Sequence, residues 1–376
     1  MADQEKMKPK DYNLNLRLRL EKLREKLISQ KLDAVLIYGV ENRHYLTLWH
    51  GDVESGFILV TPLKAFIITD SRYSEHANKE TTGFEVLEIT QGTITGVLEK
   101  LCQELKIKRI GFESHHLSVF LFQRIKKSLR SVRLVPMVNL VENLRMQKDE
   151  NEIAKLTIVA RITSEAFVYI LKTIRAGMSE QDVAWELTNF MRQKGAEKNA
   201  WEPLIVASGE NSSMAHYVPG TRKIKKGDMV LLDFGCVFQG YCSDMTRMLF
   251  MGPPDAKKRK VYKEVLEAQE LGISLVKSGR RTSLIDEKVR SSLEETTEFS
   301  YRHGLGHGVG LQVHELPSLS IGVKQKLLFG NVITVEPGIY EPGWGGVRIE
   351  DMVLVTKKGY EVLTKAPKEL EKVIVS

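Results

Sequence analysis

GDMVLLDFG, at residues 227–235, is answered 103 positions later by GNVITVEPG, at residues 330–338. Each reads glycine, a polar residue, four mostly apolar residues, an acid, any residue, and glycine. Four apolar residues between a turn-forming glycine and an acid are the pattern of a short core strand. Upstream of each copy a helical stretch ends at a glycine, IRAGMS around Gly177 and VKSGRR around Gly279. Gly177 precedes Asp233 by 56 residues and Gly279 precedes Glu336 by 57. Two landmarks kept in one register predict duplicated helix–helix–strand halves. A pseudo-twofold axis between them brings Asp233 and Glu336 to equivalent places.

Ahead of these halves the pattern changes. Leu16, Leu20, Leu23 and Leu27 place a stripe on a first helix. AVLIYG (34–39), GFILVT (56–61), AFIITD (65–70), FEVLEI (84–89) and RIGFE (109–113) read as short buried strands. Helical stretches come between some of them, around Val97–Leu105 and Val119–Leu129. This is an α/β domain with its own core. The charged stretch RMQKDENE (145–152) then separates it from a long amphipathic helix carrying Ile153, Leu156, Ala160, Phe167, Ile170, Leu171 and Ile174. The boundary falls near residue 145, giving domains 1–145 and 146–376 in a mixed α/β (α+β) chain.

With 376 residues, the chain is comfortable as two domains. Lys and Arg exceed Asp and Glu by 7, but the charges are dispersed and no aromatic ladder accompanies the basic residues of the N-terminal arm, so nucleic acid is not an expected partner. No run approaches a membrane span, and MADQEKMKPKDYN lacks the apolar region of a secretory signal. Three cysteines, Cys102, Cys236 and Cys242, make neither a disulfide framework nor a CxxC pair. They read as packing residues in a reducing, cytoplasmic setting.

The chemistry lies in the acids that end apolar strands. Burying an unpaired carboxylate costs several kcal/mol, so Asp233 in VLLDFG and Glu336 in ITVEPG each need a cation or strong donors. Asp244 in YCSDMTR and Glu350 in VRIED pose the same problem. HGLGHGVGLQVHE (303–315) adds His303 and His307 at i, i+4, but its four glycines within 303–310 argue against a zincin-type helix. Four acids and an imidazole suit manganese, cobalt, iron or zinc, and four carboxylates carry enough charge for two divalent ions.

The matching stretches IVASGENSSMAHYVPG, GDMVLLDFG, GYCSDMTR, HGLGHGVGLQVHE, VEPGIY and GGVRIEDMVLVT run in order from about Met146 to the C-terminus. In them the sequence resembles the pita-bread peptidases, namely prolidases (Xaa-Pro dipeptidases) and Xaa-Pro aminopeptidases. The first 145 residues look like the smaller N-terminal domain that accompanies these enzymes. The resemblance implies metal ligands at Asp233, Asp244, His307, Glu336 and Glu350, with Asp244 and Glu350 bridging two ions, Mn²⁺ or Co²⁺ ahead of Zn²⁺ or Fe²⁺. It implies that His216, His303 and His314 orient substrate and stabilise the oxyanion. Glu336 then also shuttles a proton to the leaving imino nitrogen, and Arg348 organises the site or anchors a carboxylate. One departure stands out: SLEETTEFSYRHG (292–304) lacks the glycine-containing turn expected before His303.

The implied activity is hydrolysis of the bond preceding proline in dipeptides or short peptides by a homodimer, with Xaa-Pro dipeptides placed ahead of longer substrates. Methionine aminopeptidase shares the catalytic fold, but the added N-terminal domain and GGVRIED argue against it. A non-enzymatic binding scaffold on this fold, or a metal-free creatine-hydrolysing relative, is disfavoured because all five ligand positions are filled. A lyase has no positive support.

Overall fold

The computed structural model describes residues 9–90 and 93–375. They divide into two compact units that meet in sequence between Arg145 and Met146. In the first, a six-stranded sheet runs in the order Glu85–Glu88, Ala65–Thr69, Phe57–Val60, Ala34–Ile37, Arg109–Glu113, Arg133–Met137. Pairing is antiparallel among the strands at 34–37, 57–60 and 65–69, and parallel elsewhere.

Helix Pro9–Ser29 buries Leu16, Leu20, Leu23 and Leu27, the stripe expected of it. The helices Ile94–Glu104 and Val119–Ser128 start at side-chain caps, Thr93 and Ser118, which each accept a main-chain N–H of the first turn. The FEVLEI strand differs from expectation. It lies at the sheet edge, so Val86 and Leu87 are only half-buried, while Glu85 and Glu88 are exposed.

The second unit opens with helix Glu150–Thr173, whose capping box pairs Asp149 with Glu152. Ile153 and Leu171 on its apolar side are half-buried rather than enclosed. Helix Glu180–Gln193 follows, then a sheet in the order Ile374–Val375, Met245–Met251, Met229–Phe234, Ile205–Ser208. Helices Ala256–Ser274 and Thr282–Thr296 precede a five-stranded sheet in the order Glu315–Leu319, Gly306–Gly308, Val332–Val335, Asp351–Val355, Tyr360–Val362.

The two halves repeat one another bond for bond. Gly177 N–H donates to Ile224 O at 2.8 Å, and Gly279 N–H donates to Leu327 O at 2.8 Å. Ile224 donates back to Met178 O, as Leu327 does to Arg280 O. Isolated bridges join Ser179 to Lys223 and Arg281 to Lys326. All four glycines at these turns, 177, 227, 279 and 330, have positive φ, where a Cβ is strained. Arg247 stands opposite Leu232 in one half, and Asp351 stands opposite Val335 in the other.

Both central strands are enclosed. Val230, Leu231, Leu232, Ile333 and Val335 have at most 1% exposure, and each such side chain contributes about 1.5–3 kcal/mol by leaving water. This rigid centre carries acids at its strand ends.

Candidate metal centre

The strands deliver the five candidate ligands from both halves. Asp233 lies near the end of Met229–Phe234, opposite Thr246 in the register. Asp244 immediately precedes strand Met245–Met251, Glu336 follows Val332–Val335, and Glu350 joins Gly345–Arg348 to Asp351–Val355. His307 sits at the middle of Gly306–Gly308. Its flanking glycines are dictated by packing: a Cβ at Gly306 would lie 2.1 Å from Thr334 O, and one at Gly308 would lie 2.2 Å from Leu316 O.

Their functional atoms converge. One atom from each of Asp244, His307 and Glu350 lies within 4.8 Å of the others. His307 Nε2 is 3.2 Å from Glu336 Oε1 and 3.6 Å from Asp244 Oδ2. His307 Nδ1 is 3.1 Å from Gly308 O. A carbonyl only accepts, so Nδ1 carries the proton there and the Nε2 lone pair of a neutral ring faces the carboxylates. Lone pair against carboxylate is repulsive unless a cation or a proton lies between them. Glu350 Oε2 accepts from Thr246 Oγ1 at 2.7 Å, whereas Glu350 Oε1 and Asp233 Oδ1 are buried with no hydrogen-bond partner.

Titration behaviour agrees. Burial, with neighbouring carboxylates adding to it, pushes Asp244 and Glu350 well above the ordinary range and Asp233 above it. Burial also pushes Glu336 up, but where a proton on His307 Nε2 takes the cation's place, its hydrogen bond and charge, with Arg348, outweigh burial and leave Glu336 below its ordinary value, while Glu336 in turn raises His307 against burial. Four acids, Asp244 and Glu350 buried and Asp233 and Glu336 half-buried, with two orphaned oxygens and an imidazole lone pair fit divalent cations held by oxygen and nitrogen.

A cavity of about 790 Å³ opens over this cluster, and all nine residues singled out from the sequence line it. His314 packs against His307 with ring centroids 4.2 Å apart and planes tilted by 54°. His303 Nδ1 is 2.9 Å from Gly304 O and must donate to it, so Nε2 accepts, 3.2 Å from the Tyr340 hydroxyl. That hydroxyl in turn accepts from Arg348 Nη1 at 2.6 Å. Burial lowers the pKa of His303 and of His314, favouring neutral rings. Arg348 is buried; besides Tyr340 it donates to Asp233 and, at 2.9 Å through Nε, to Thr246 Oγ1.

Tyr340 and Thr246 were not singled out by sequence. Both lie inside quoted motifs, VEPGIY and SDMTR, and Thr246 stands two residues beyond Asp244, on the same face of an extended chain. The unusual stretch before His303 is held without the expected glycine turn. Arg290, from helix Thr282–Thr296, donates to Tyr301 O at 2.6 Å and His303 O at 2.8 Å.

Fold and site together define a class of two-unit proteins with a carboxylate-rich centre suited to divalent cations. Residues 154–357 match the model of metallopeptidase family M24, and residues 19–147 match the creatinase/prolidase N-terminal domain. The Xaa-Pro dipeptidase of Pyrococcus horikoshii is 34% identical over 354 residues, covering 94% of this chain and 98% of that one. Among solved structures, an Xaa-Pro dipeptidase from Bacillus anthracis superposes with TM-score 0.91 at 39% identity, covering 96% of this chain and all of that one. An X-Pro aminopeptidase from Thermotoga maritima gives 0.85 at 37% identity, covering 94% and 99%. The chain belongs to metallopeptidase family M24, with the pita-bread catalytic fold and its creatinase-type N-terminal domain.

Proposed function

We propose that this protein is a dinuclear-metal exopeptidase that hydrolyses the bond between a residue and a following proline, with Xaa-Pro dipeptides as its first substrates. The observation that carries this is the convergence of five ligating side chains, two with orphaned buried oxygens, beneath a histidine-lined cavity. Asp233, Asp244, His307, Glu336 and Glu350 would hold the ions. Two bound ions, Mn²⁺ or Co²⁺ in preference to Zn²⁺ or Fe²⁺, would supply Lewis acidity to the scissile carbonyl and to the attacking water.

The side chains then divide the remaining work. A peptidyl proline nitrogen carries no hydrogen, so it leaves as an amine only when a proton reaches it. Glu336, which accepts from Thr334 Oγ1 at 3.2 Å, takes the proton from the attacking water and delivers it to that nitrogen. His216 and His314, on the cavity wall, donate to the carbonyl oxygen as it gains charge. His303 presents an acceptor to Tyr340, so its part is to hold the Arg348–Tyr340 chain that orients Asp233. The catalytic chain works as a homodimer in the cytoplasm, a setting with which its three buried, free cysteines accord.

A second reading, aminopeptidase action on longer Xaa-Pro-Yaa peptides, is favoured by one observation. Arg348, the sole Lys or Arg lining the cavity among the described residues, is already committed to Asp233, Tyr340 and Thr246. A dipeptide's carboxylate would then be met by donors such as the histidines, Tyr217, Ser318 or Ser320 on the cavity wall. Metal-reconstituted protein should be given Ala-Pro, Ala-Pro-Ala and a longer Ala-Pro peptide. The highest kcat/KM is expected for Ala-Pro, while a clear preference for the longer peptides replaces the first reading by the second. No hydrolysis of any of them, or full hydrolysis by rigorously metal-free protein, refutes both.

A further inference from the structure

Next to Val313 and His314 in the chain, Glu315 takes part in a buried ion pair that the chemistry above does not use. Lys148 Nζ and Glu315 Oε1 stand 2.7 Å apart, with side chains 1% and 4% exposed. Lys148 is itself anchored by the main chain, its N–H donating to Gly330 O at 2.9 Å. Glu315 opens the strand Glu315–Leu319 and folds its carboxylate back over the preceding loop. A Cβ at Gly310 would lie 2.3 Å from Glu315 Oε1, and Gln312 N–H reaches Oε2 at 3.4 Å. From the other side, Cys242 N–H donates to Gly310 O at 2.8 Å. The loop is thus gripped from both sides, while Val313 and His314, the two residues before Glu315, form part of the cavity wall.

Stability alone does not explain such a pair. Replacing a buried ion pair by apolar groups of similar volume is often neutral or stabilising, whereas removing one partner costs about 3–5 kcal/mol. What a charged pair can add is a single geometry, because either charge displaced from its partner would be left buried and uncompensated. Six residues, 309 to 314, hang between the His307 strand and Glu315. Val309 N–H on Val332 O, Cys242 N–H on Gly310 O and the His307–His314 ring contact also hold this segment, but the pair is what fixes the side chain of Glu315, the residue next to His314.

We propose that Lys148 and Glu315 are positioning residues for His314, holding its ring at the place where it meets the substrate carbonyl. The inference rests on the role of His314 proposed above. A displacement of about 1 Å at such a group can cost up to about 10²-fold in rate, so loss of the pair acts on kcat more than on KM.

A double-mutant cycle between Glu315→Gln and His314→Ala tests this, with metal content and Tm measured on every variant. Glu315→Gln is nearly isosteric and should lower kcat about tenfold with KM within about twofold and metal content unchanged. His314→Ala should lower kcat about 10²-fold. In the His314→Ala background, Glu315→Gln should then change kcat by less than about twofold. Equal factors in both backgrounds overturn the positioning role while leaving that of His314 intact; no effect of His314→Ala overturns both. If Glu315→Gln folds poorly, Lys148→Met/Glu315→Met removes both charges. A recovered Tm with kcat still about tenfold down supports the proposal, and recovery of both overturns it.

Discussion

Asp351→Ala should be among the most damaging changes outside the ligand set. The Asp351 carboxylate accepts from Arg247 Nη2 at 2.5 Å, Thr364 Oγ1 at 2.8 Å, Gln269 Nε2 at 2.9 Å and Lys368 Nζ at 2.9 Å. Arg247 and Asp351 are each only 1% exposed, whereas Lys368, 21% exposed, can turn to solvent. Truncation therefore leaves one guanidinium stranded, which costs about 3–5 kcal/mol. Coulomb's law gives the same order: unit charges about 4 Å apart at an effective dielectric of about 20 attract by about 4 kcal/mol. Asp351→Asn keeps the shape and some hydrogen bonds and should cost about 2 kcal/mol. The damage should also reach the metals, because Arg247 Nη1 donates to the carbonyl oxygens of Glu350 and Thr246. Urea unfolding of metal-loaded protein gives the energies, and titration of the chelator-stripped protein with Mn²⁺ gives the affinity. A loss below about 1 kcal/mol for Asp351→Ala, or Mn²⁺ affinity equal to the parent's, would refute the reasoning.

Asp244→Ala should lose bound metal and activity together, whereas Glu336→Gln should retain part of its metal while turnover falls at least about 10²-fold. Metal analysis beside kinetics decides this, and near-normal turnover in either variant refutes the assignment. In the N-terminal unit, Glu142 sits 2.9 Å from His116 Nε2 and 2.7 Å from Asn42 Nδ2. Burial pushes its carboxyl up, but those two hydrogen bonds outweigh it and hold the pKa down to about 2; His116 is raised, first by Glu142. The carboxylate's contribution is present above the ordinary value of 4.5 and lost as pH falls toward 2. The imidazolium's is present below 6.5 and lost as pH rises through its raised value. Glu142→Gln should therefore destabilise most between those two pH values. Hydrogen exchange in the strands Ala34–Ile37 and Arg109–Glu113 reads this out, and a pH-independent difference would contradict it.

The centre of the catalytic fold was legible because the same landmarks occur twice. Gly177 and Gly279, Asp233 and Glu336 hold one register in sequence, and the same main-chain bonds surround them in space. The convergence of the acids was legible for a related reason: an acid at the end of an apolar strand has no cheap partner and calls for a cation or strong donors. What sequence did not disclose are groups whose meaning depends on a neighbour far along the chain. Nothing local marks Tyr340 as the hydroxyl between Arg348 and His303, or Thr246 as the donor to Glu350, 104 residues away. Strand Arg133–Met137 escaped notice because Pro136 and an exposed Arg133 blur its alternation, as an edge strand permits. Helix Val40–Thr47 escaped because it buries polar Asn42, Arg43 and His44 rather than an apolar stripe.

The placing of Arg247 and Asp351 carries one more consequence. They occupy corresponding positions of the two halves, opposite Leu232 and Val335, yet they meet each other as an ion pair. In a true symmetric dimer of half-length chains, a residue beside the axis meets its own copy, so arginine would face arginine and aspartate would face aspartate. Only when both halves are written in one chain can each side of the axis be chosen separately. Fusion of the halves thus does more than tether them: it lets the centre of the molecule be held by opposites.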